Sequence, residues 1–287
     1  MSSLGRGKID DYPARRRGCD FMSSVEMSLS GKAAIVTGAG SGLGEVMATA
    51  LAMAGASVIA VDQNANAVES LASLVGGNVV PMQADVTSSI EMGQAVDLCA
   101  DRFGHVDVVV CNAGIGMSSI RADYHTNPIK SWELDPEVVR RFLDVNALGP
   151  FRLAHAAVPR MLEQGWGRII SVTTSLSTMI RAGNCPYGPS KAAHEALAAI
   201  MAGDLKGSGV TVNVLVPGGA ADTPLVPGAE RSALIKPVVM GPPVVWLASQ
   251  ESDGITARRF IANEWDTSLP GADAAERCSA PIAWSAE

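Results

Sequence analysis

Ala33-Ala34-Ile35-Val36-Thr37 runs straight into Gly38-Ala39-Gly40-Ser41-Gly42-Leu43-Gly44, and a helix-forming stretch continues to residue 54. An unbroken apolar and β-branched run marks a strand covered on both faces, as in a parallel sheet. Glycines at the turn that follows let the backbone approach a bulky anion. The helix start adds free N–H groups and the positive end of a dipole. An ordinary flexible loop also carries glycines, but this one lies between a buried strand and a helix. In that place it reads as a cradle for the pyrophosphate of a dinucleotide.

The same grammar extends outward. Further short apolar runs occur at 57–61, 79–83, 106–111, 168–172 and 211–216, separated by longer helix-forming stretches. Strands that alternate with helices build right-handed βαβ units, so the expectation is a doubly wound α/β fold with a parallel sheet. Residues 29–266 form one domain in this reading, with 1–28 as an N-terminal tail or arm and 267–287 as a C-terminal extension. Segments 117–136 and 217–243 are irregular, the second rich in proline and glycine, and such long segments are often lids or binding loops.

Composition narrows the function. The chain has 287 residues, 47% of them hydrophobic, enough for a sizeable core. A formal net charge of −7 disfavours a nucleic-acid partner, which needs clustered cations. The basic run Arg15-Arg16-Arg17 reads as a solvated part of the tail. Five widely spaced cysteines without a CxxC pair, and four scattered histidines, give no zinc spacing and fit a reduced, cytoplasmic setting. No apolar run is long enough to span a membrane, and no export signal follows the arginines.

Two places carry chemistry. The second strand ends in Val61-Asp62, followed by Gln63. A carboxylate there accepts hydrogen bonds from both ribose hydroxyls of NAD and repels the 2′-phosphate of NADP; neither Ser41 nor Gln63 adds a positive charge. Capping the next helix is the other role open to Asp62. Farther on, Tyr187 and Lys191 stand four apart at the start of a helix-forming run, hence on one face. An ammonium beside a phenol is expected to lower its pKa from about 10 toward the working pH, which suits a general acid–base.

Taken together, the motifs resemble those of the short-chain dehydrogenase/reductase family. Thr37–Gly44 is similar to its TGxxxGxG turn, Asp85-Val86 to its adenine-contacting pair, and Asn112-Ala113-Gly114 to its NAG motif. Tyr187-Gly188-Pro189-Ser190-Lys191 matches YxxSK, Asn146 falls in a segment like that of the family's helix-borne asparagine, and Pro217-Gly218 resembles its PG motif. The ordered set covers residues 29–265 and implies a Rossmann-type three-layer domain that moves a hydride between NAD and a small secondary alcohol or ketone.

The resemblance also assigns roles. Lys191 would bond the nicotinamide ribose, Asn146 would hold a water behind the lysine, and Thr223 would bond the carboxamide. A hydroxyl stands thirteen residues before the tyrosine in the family. Here that position is Thr174, followed by Ser175, and the slight preference goes to Ser175 because serine brings no methyl group against the substrate. From sequence alone, Asn146 reads equally as a structural kink or a helix-interior contact. Gly116, Met117, Met179, Ile180, Cys185, Gly219 and Leu225 are the expected substrate wall. The family pairs its long helices, here 136–164 and 187–206, across a subunit interface, which implies a homotetramer. Two other readings share the fold: an NADPH-dependent ketoacyl-type reductase, and a binding protein without turnover. The end of the last strand, Ile261-Ala262-Asn263-Glu264-Trp265-Asp266, departs from the family's VDGG-like turn.

Overall fold

The computed structural model describes residues 29–227 and 230–282. The tail expected over residues 1–28, with Cys19 and the three arginines, lies outside the described residues. Along the chain the elements are β1 (Ala33–Thr37), α1 (Gly42–Met53), β2 (Ser57–Asp62), α2 (Ala65–Val75), β3 (Val79–Gln83), α3 (Ser89–Phe103) and β4 (Val108–Cys111). Then come α4 (Pro136–Leu143), a π-helical turn (Asp144–Leu148), α5 (Gly149–Gln164), β5 (Gly167–Val172), a short α6 (Leu176–Met179), α7 (Tyr187–Asp204) and β6 (Val210–Val216). The chain finishes with α8 (Gly241–Ala248), β7 (Arg258–Ile261), α9 (Gly271–Arg277) and β8 (Ser279–Pro281).

These strands form one sheet in the order β3-β2-β1-β4-β5-β6-β7-β8, parallel except for the last pair. Burial follows position. Every residue of β1, β4, β5 and β6 is buried, whereas β3 at the edge is buried at Val79 alone and beyond it alternates between partly buried and exposed. Side chains alternate across the sheet and divide the core in two. Val36, Val58, Val110 and Leu215 pack under α1 and α8, while Ile35, Ile59, Val109 and Val214 pack under α3, α5 and α7. The strand order reverses between β1 and β4, and a crevice opens there above the carboxyl ends of the strands.

Helix boundaries follow local chemistry. Asn64, Ser88 and Asp135 each accept a backbone N–H at the start of α2, α3 and α4. Gly104 and Gly165 end α3 and α5 in the left-handed conformation.

Three boundaries differ from the sequence reading. β4 begins at Val108, and Asp107 just before it turns its carboxylate to the Ala33 N–H (2.8 Å) and to Lys32 and His105. The irregular stretch after β6 gives way to α8 at Gly241, entered through a proline at a position where the missing N–H costs nothing. The segment expected as an extension contributes α9 and β8 to the domain; β8 is three residues long, too short to show a period.

Candidate active site

A cleft of about 900 Å³ runs along the carboxyl ends of the central strands, from Asp62 and Asp85 to Tyr187. Its dinucleotide wall is built by the turn between β1 and α1. Gly38 has φ +67°, and a Cβ there would lie 2.8 Å from Ala113. At Gly44 a Cβ would lie 2.0 Å from the Gly38 carbonyl. Asn112 donates to the carbonyls of Thr37 (3.0 Å) and Gly38 (3.3 Å), and the Thr37 hydroxyl accepts from the N–H groups of Asn112 and Ala113. The Asn112-Ala113-Gly114 segment therefore braces the glycine turn from beneath.

Asp62 is held in the same wall. One carboxylate oxygen accepts the Gly40 N–H (3.0 Å) and the other accepts the Asn64 N–H (2.9 Å), so its direction is fixed while lone pairs remain toward the cleft. A Cβ at Gly40 would come within 2.9 Å of this carboxylate. A glycine cradle, a fixed acid beyond it and an aliphatic floor at Val61 and Val86 fit a nicotinamide dinucleotide.

The opposite end rests on α7. Tyr187 opens that helix, Lys191 follows one turn on and Glu195 another turn on. Burial pushes the Tyr187 phenol up to about 12; the neighbouring Thr174 hydroxyl opposes this as a hydrogen-bond partner, and Tyr124 adds to it. Burial pulls Lys191 down to about 8. Its ammonium donates to the Val172 carbonyl (2.8 Å). The expected lowering of the Tyr187 pKa by Lys191 is thus absent: desolvation governs both groups, and the ammonium is directed at β5.

Other expected residues fall in two sets. Ser41, Gly42, Leu43, Gln63, Asp85, Val86, Pro217 and Thr223 line the cleft, as do Gly116, Met117, Gly219 and Leu225. Thr223 packs on Gly42, and Leu225 on Gly116. Met179, Ile180 and Cys185 lie off the cleft. Met179 is buried, Ile180 is 85% exposed, and Cys185 precedes a cis proline at the foot of α7. Gly218, at φ +99°, packs against Asn263, where a Cβ would lie 1.9 Å from its Oδ1.

The preference for Ser175 over Thr174 is reversed by the geometry. Ser175 caps α6, with its hydroxyl on Thr178 Oγ1 (2.6 Å) and the Thr178 N–H (3.3 Å), and it is Thr174 that stands beside the phenol. Asn146 sits in the π turn and is fully buried. Its side chain accepts from Ile115 N (2.8 Å) and donates to Ile115 O (3.0 Å) and Ser190 Oγ (2.9 Å), so it is both a kink and a clamp. Sequence reasoning missed Tyr124 and His125, which line the cleft with their rings tilted and 3.9 Å apart. Tyr124 is one of three tyrosines in the chain, and an aromatic pair inside a polar loop was the available signal.

The family model for short chain dehydrogenases matches residues 32–232. The chain belongs to the short-chain dehydrogenase/reductase family. This dehydrogenase/reductase is 36% identical over 215 residues to the 1-deoxy-11-beta-hydroxypentalenate dehydrogenase of Streptomyces exfoliatus, which covers 72% of this chain and 74% of that one. It is 32% identical over 201 residues to the 7alpha-hydroxysteroid dehydrogenase of Escherichia coli K12, covering 69% and 74%. The crystal structure of 3-ketoacyl-(acyl-carrier-protein) reductase from Brucella melitensis complexed with NADH superimposes with a TM-score of 0.72 at 29% identity, covering 80% of this chain and 95% of that one. The chain is accordingly an oxidoreductase of the nicotinamide-dependent kind.

Proposed function

We propose that the protein is an NAD-dependent dehydrogenase/reductase acting on a secondary alcohol or the matching ketone. The observation that carries this reading is the placement of Tyr187 and Thr174 side by side in the cleft whose far wall holds the fixed carboxylate of Asp62. Bound between these ends, the dinucleotide supplies the hydride acceptor for oxidation and the donor for reduction. Gly38 to Gly44 would hold its pyrophosphate, Asp85 and Val86 its adenine, and Thr223 its carboxamide. Two backbone N–H groups hold Asp62 in this orientation, and its charge would oppose a 2′-phosphate, which supports NAD over NADP.

Tyr187 takes the hydroxyl proton in oxidation and returns it in reduction, while Thr174 donates to the substrate oxygen and opposes its developing charge. Lys191 donates to the Val172 carbonyl at the end of β5 and would also bond the nicotinamide ribose. Asn146, its side chain committed to Ile115 and Ser190, keeps β4 and α7 in register behind the lysine. The substrate wall of Met117, Leu225 and Tyr124 is mainly apolar and suits a hydrocarbon framework that bears the reacting hydroxyl.

Leu148, Phe151 and Ile200 are exposed on the outer sides of the α4–α5 and α7 helices. This apolar surface supports a homotetramer, assembled across those helices. A ketoacyl-type reductase using NADPH is the second reading, with the Brucella likeness behind it and the charge of Asp62 against it.

A panel of acyclic, alicyclic and polycyclic secondary alcohols, assayed with NAD and with NADP, tests the reading. With the best alcohol, Tyr187→Phe should leave NADH binding intact and slow single-turnover hydride transfer by roughly 10²–10⁴-fold, the usual loss for a general acid–base group. A near-normal rate removes Tyr187 from the chemistry.

A further inference from the structure

Beneath Thr174 lies an ion pair that the reaction itself does not use. Glu195, fully buried on α7, is paired with Arg259, which is 6% exposed on β7. The same carboxylate accepts from the Thr173 hydroxyl (2.6 Å). The guanidinium reaches past the carboxylate with its second nitrogen and donates to the Thr174 carbonyl. Two residues before Thr174, Lys191 holds the Val172 carbonyl. Three consecutive residues at the exit of β5 are thus fastened from two other elements, by Lys191 and Glu195 of α7 and by Arg259 of β7.

Side chains alternate along extended backbone. Thr173 therefore turns down into the ion pair, Thr174 turns up to the cleft, and Ser175 turns away to cap α6. Fixing the Thr173 side chain on one side and the Thr174 carbonyl on the other leaves the Thr174 hydroxyl little freedom of direction. Stability alone does not account for the pair. Taking two charges out of water is expensive, and an apolar pair of similar volume commonly serves a core as well or better. What an apolar pair cannot supply is a planar donor that grips a carboxylate and a peptide carbonyl at once.

We propose that Glu195 and Arg259 are positioning residues, a buried strap that sets the Thr174 hydroxyl against Tyr187 and the substrate oxygen. The proposal rests on the role given above to Thr174. It treats the arginine of the last long parallel strand as part of the catalytic apparatus although it touches neither substrate nor dinucleotide.

The test is a double-mutant cycle in the full-length protein. Glu195→Gln/Arg259→Met removes both charges together and leaves no lone buried ion. In the parent background this variant should lower single-turnover hydride transfer with the best alcohol of the panel by roughly 10–100-fold, the scale of a small misplacement of a reacting group. KM should change little and the NADH dissociation constant not at all. In a Thr174→Val background the same pair of changes should lower the rate by less than about twofold, because the group being positioned is gone. A second readout needs neither substrate nor dinucleotide: hydrogen exchange of peptides spanning residues 172–176 should quicken in the paired variant. Should that variant not fold, Arg259→Lys keeps the charge on Glu195 but cannot hold both partners, and the same outcomes apply.

The proposal is overturned by an equal rate loss in both backgrounds, by no loss in the parent, or by unchanged exchange. If Tyr187→Phe and Thr174→Val both turn over normally, the reading of the reaction has failed, and the exchange measurement still decides whether the strap exists.

Discussion

Lys191→Met should make the protein more stable at neutral pH while abolishing its chemistry. The ammonium is buried, and its pKa falls from 10.5 to about 8. At about 1.4 kcal/mol per pH unit, keeping this amine charged inside the fold destabilises it by about 3 kcal/mol at pH 7. Methionine fills a similar volume without the charge but leaves the Val172 carbonyl without its donor, a loss of about 1 kcal/mol. The net gain is about 2 kcal/mol, or roughly 5 °C in melting temperature for a domain of this size.

The sign with pH follows from the depressed pKa. Between pH 8 and 10.5 the unfolded chain binds more protons than the folded one, so the parent gains stability as pH rises and loses it as pH falls toward 8. The variant lacks this gain, and its advantage should hold nearly constant from pH 7 to about pH 8 and then shrink toward pH 10. Tyr187, pushed up to about 12, destabilises both proteins alike above pH 10 and cancels in the comparison. Urea unfolding at pH 7, 8.5 and 10, at one subunit concentration, measures the difference. A variant less stable at pH 7, or an advantage that does not change with pH, would refute the assignment of Lys191 as a group charged against its surroundings.

Two further outcomes concern the ends of the cleft and the outside of the subunit. Asp62→Arg removes the carboxylate held by Gly40 and Asn64 and should raise the affinity for NADPH relative to NADH by at least about tenfold, since a reversed charge within a few ångströms of the 2′-position is worth more than 1.4 kcal/mol even near water; fluorescence titration reads it, and an unchanged ratio removes Asp62 from cofactor choice. Phe151→Asp/Ile200→Asp places charges on the exposed apolar helix faces and should reduce the assembly to smaller species in sedimentation; a parent that is already monomeric would overturn the tetramer.

Much of the fold was legible because its strands are buried on both faces. β1 carries an unbroken apolar or β-branched run and β6 one broken only by Asn213, and Gly38 and Gly44 mark a turn packed too closely for side chains at those two positions. What escaped depended on contacts distant in sequence. Asp107 sends its carboxylate to Ala33 and Lys32, far away in sequence, and nothing local announces that. Three-residue β8 exists only because β7 offers it an edge.

At the site, Asp62, Tyr187 and Lys191 could be placed by spacing alone, since each lies on a regular element. Thr174 and Ser175 could not be told apart, because one residue of loop separates a hydroxyl turned to the cleft from one that caps a helix. The pKa of Tyr187 was misread for a related reason: four residues along a helix fix which face Lys191 occupies, but not that its ammonium would be drawn to the Val172 carbonyl.

The antiparallel strand β8 has a consequence for handling the molecule. Parallel sheets end in a strand whose outer N–H and C=O groups are open to another chain, and such edges seed fibrils and misassembly. Here Arg258, Arg259 and Phe260 are paired with Pro281, Ala280 and Ser279, and the Arg258 guanidinium clasps Ser279 from the side. A proline in the closing strand also leaves that strand without one donor on which a further chain could build. Ser279 to Pro281 therefore act as a seam along the rim of the sheet. Trimming the chain back to Arg277 would leave the strand that carries Arg259 as a bare, adhesive border.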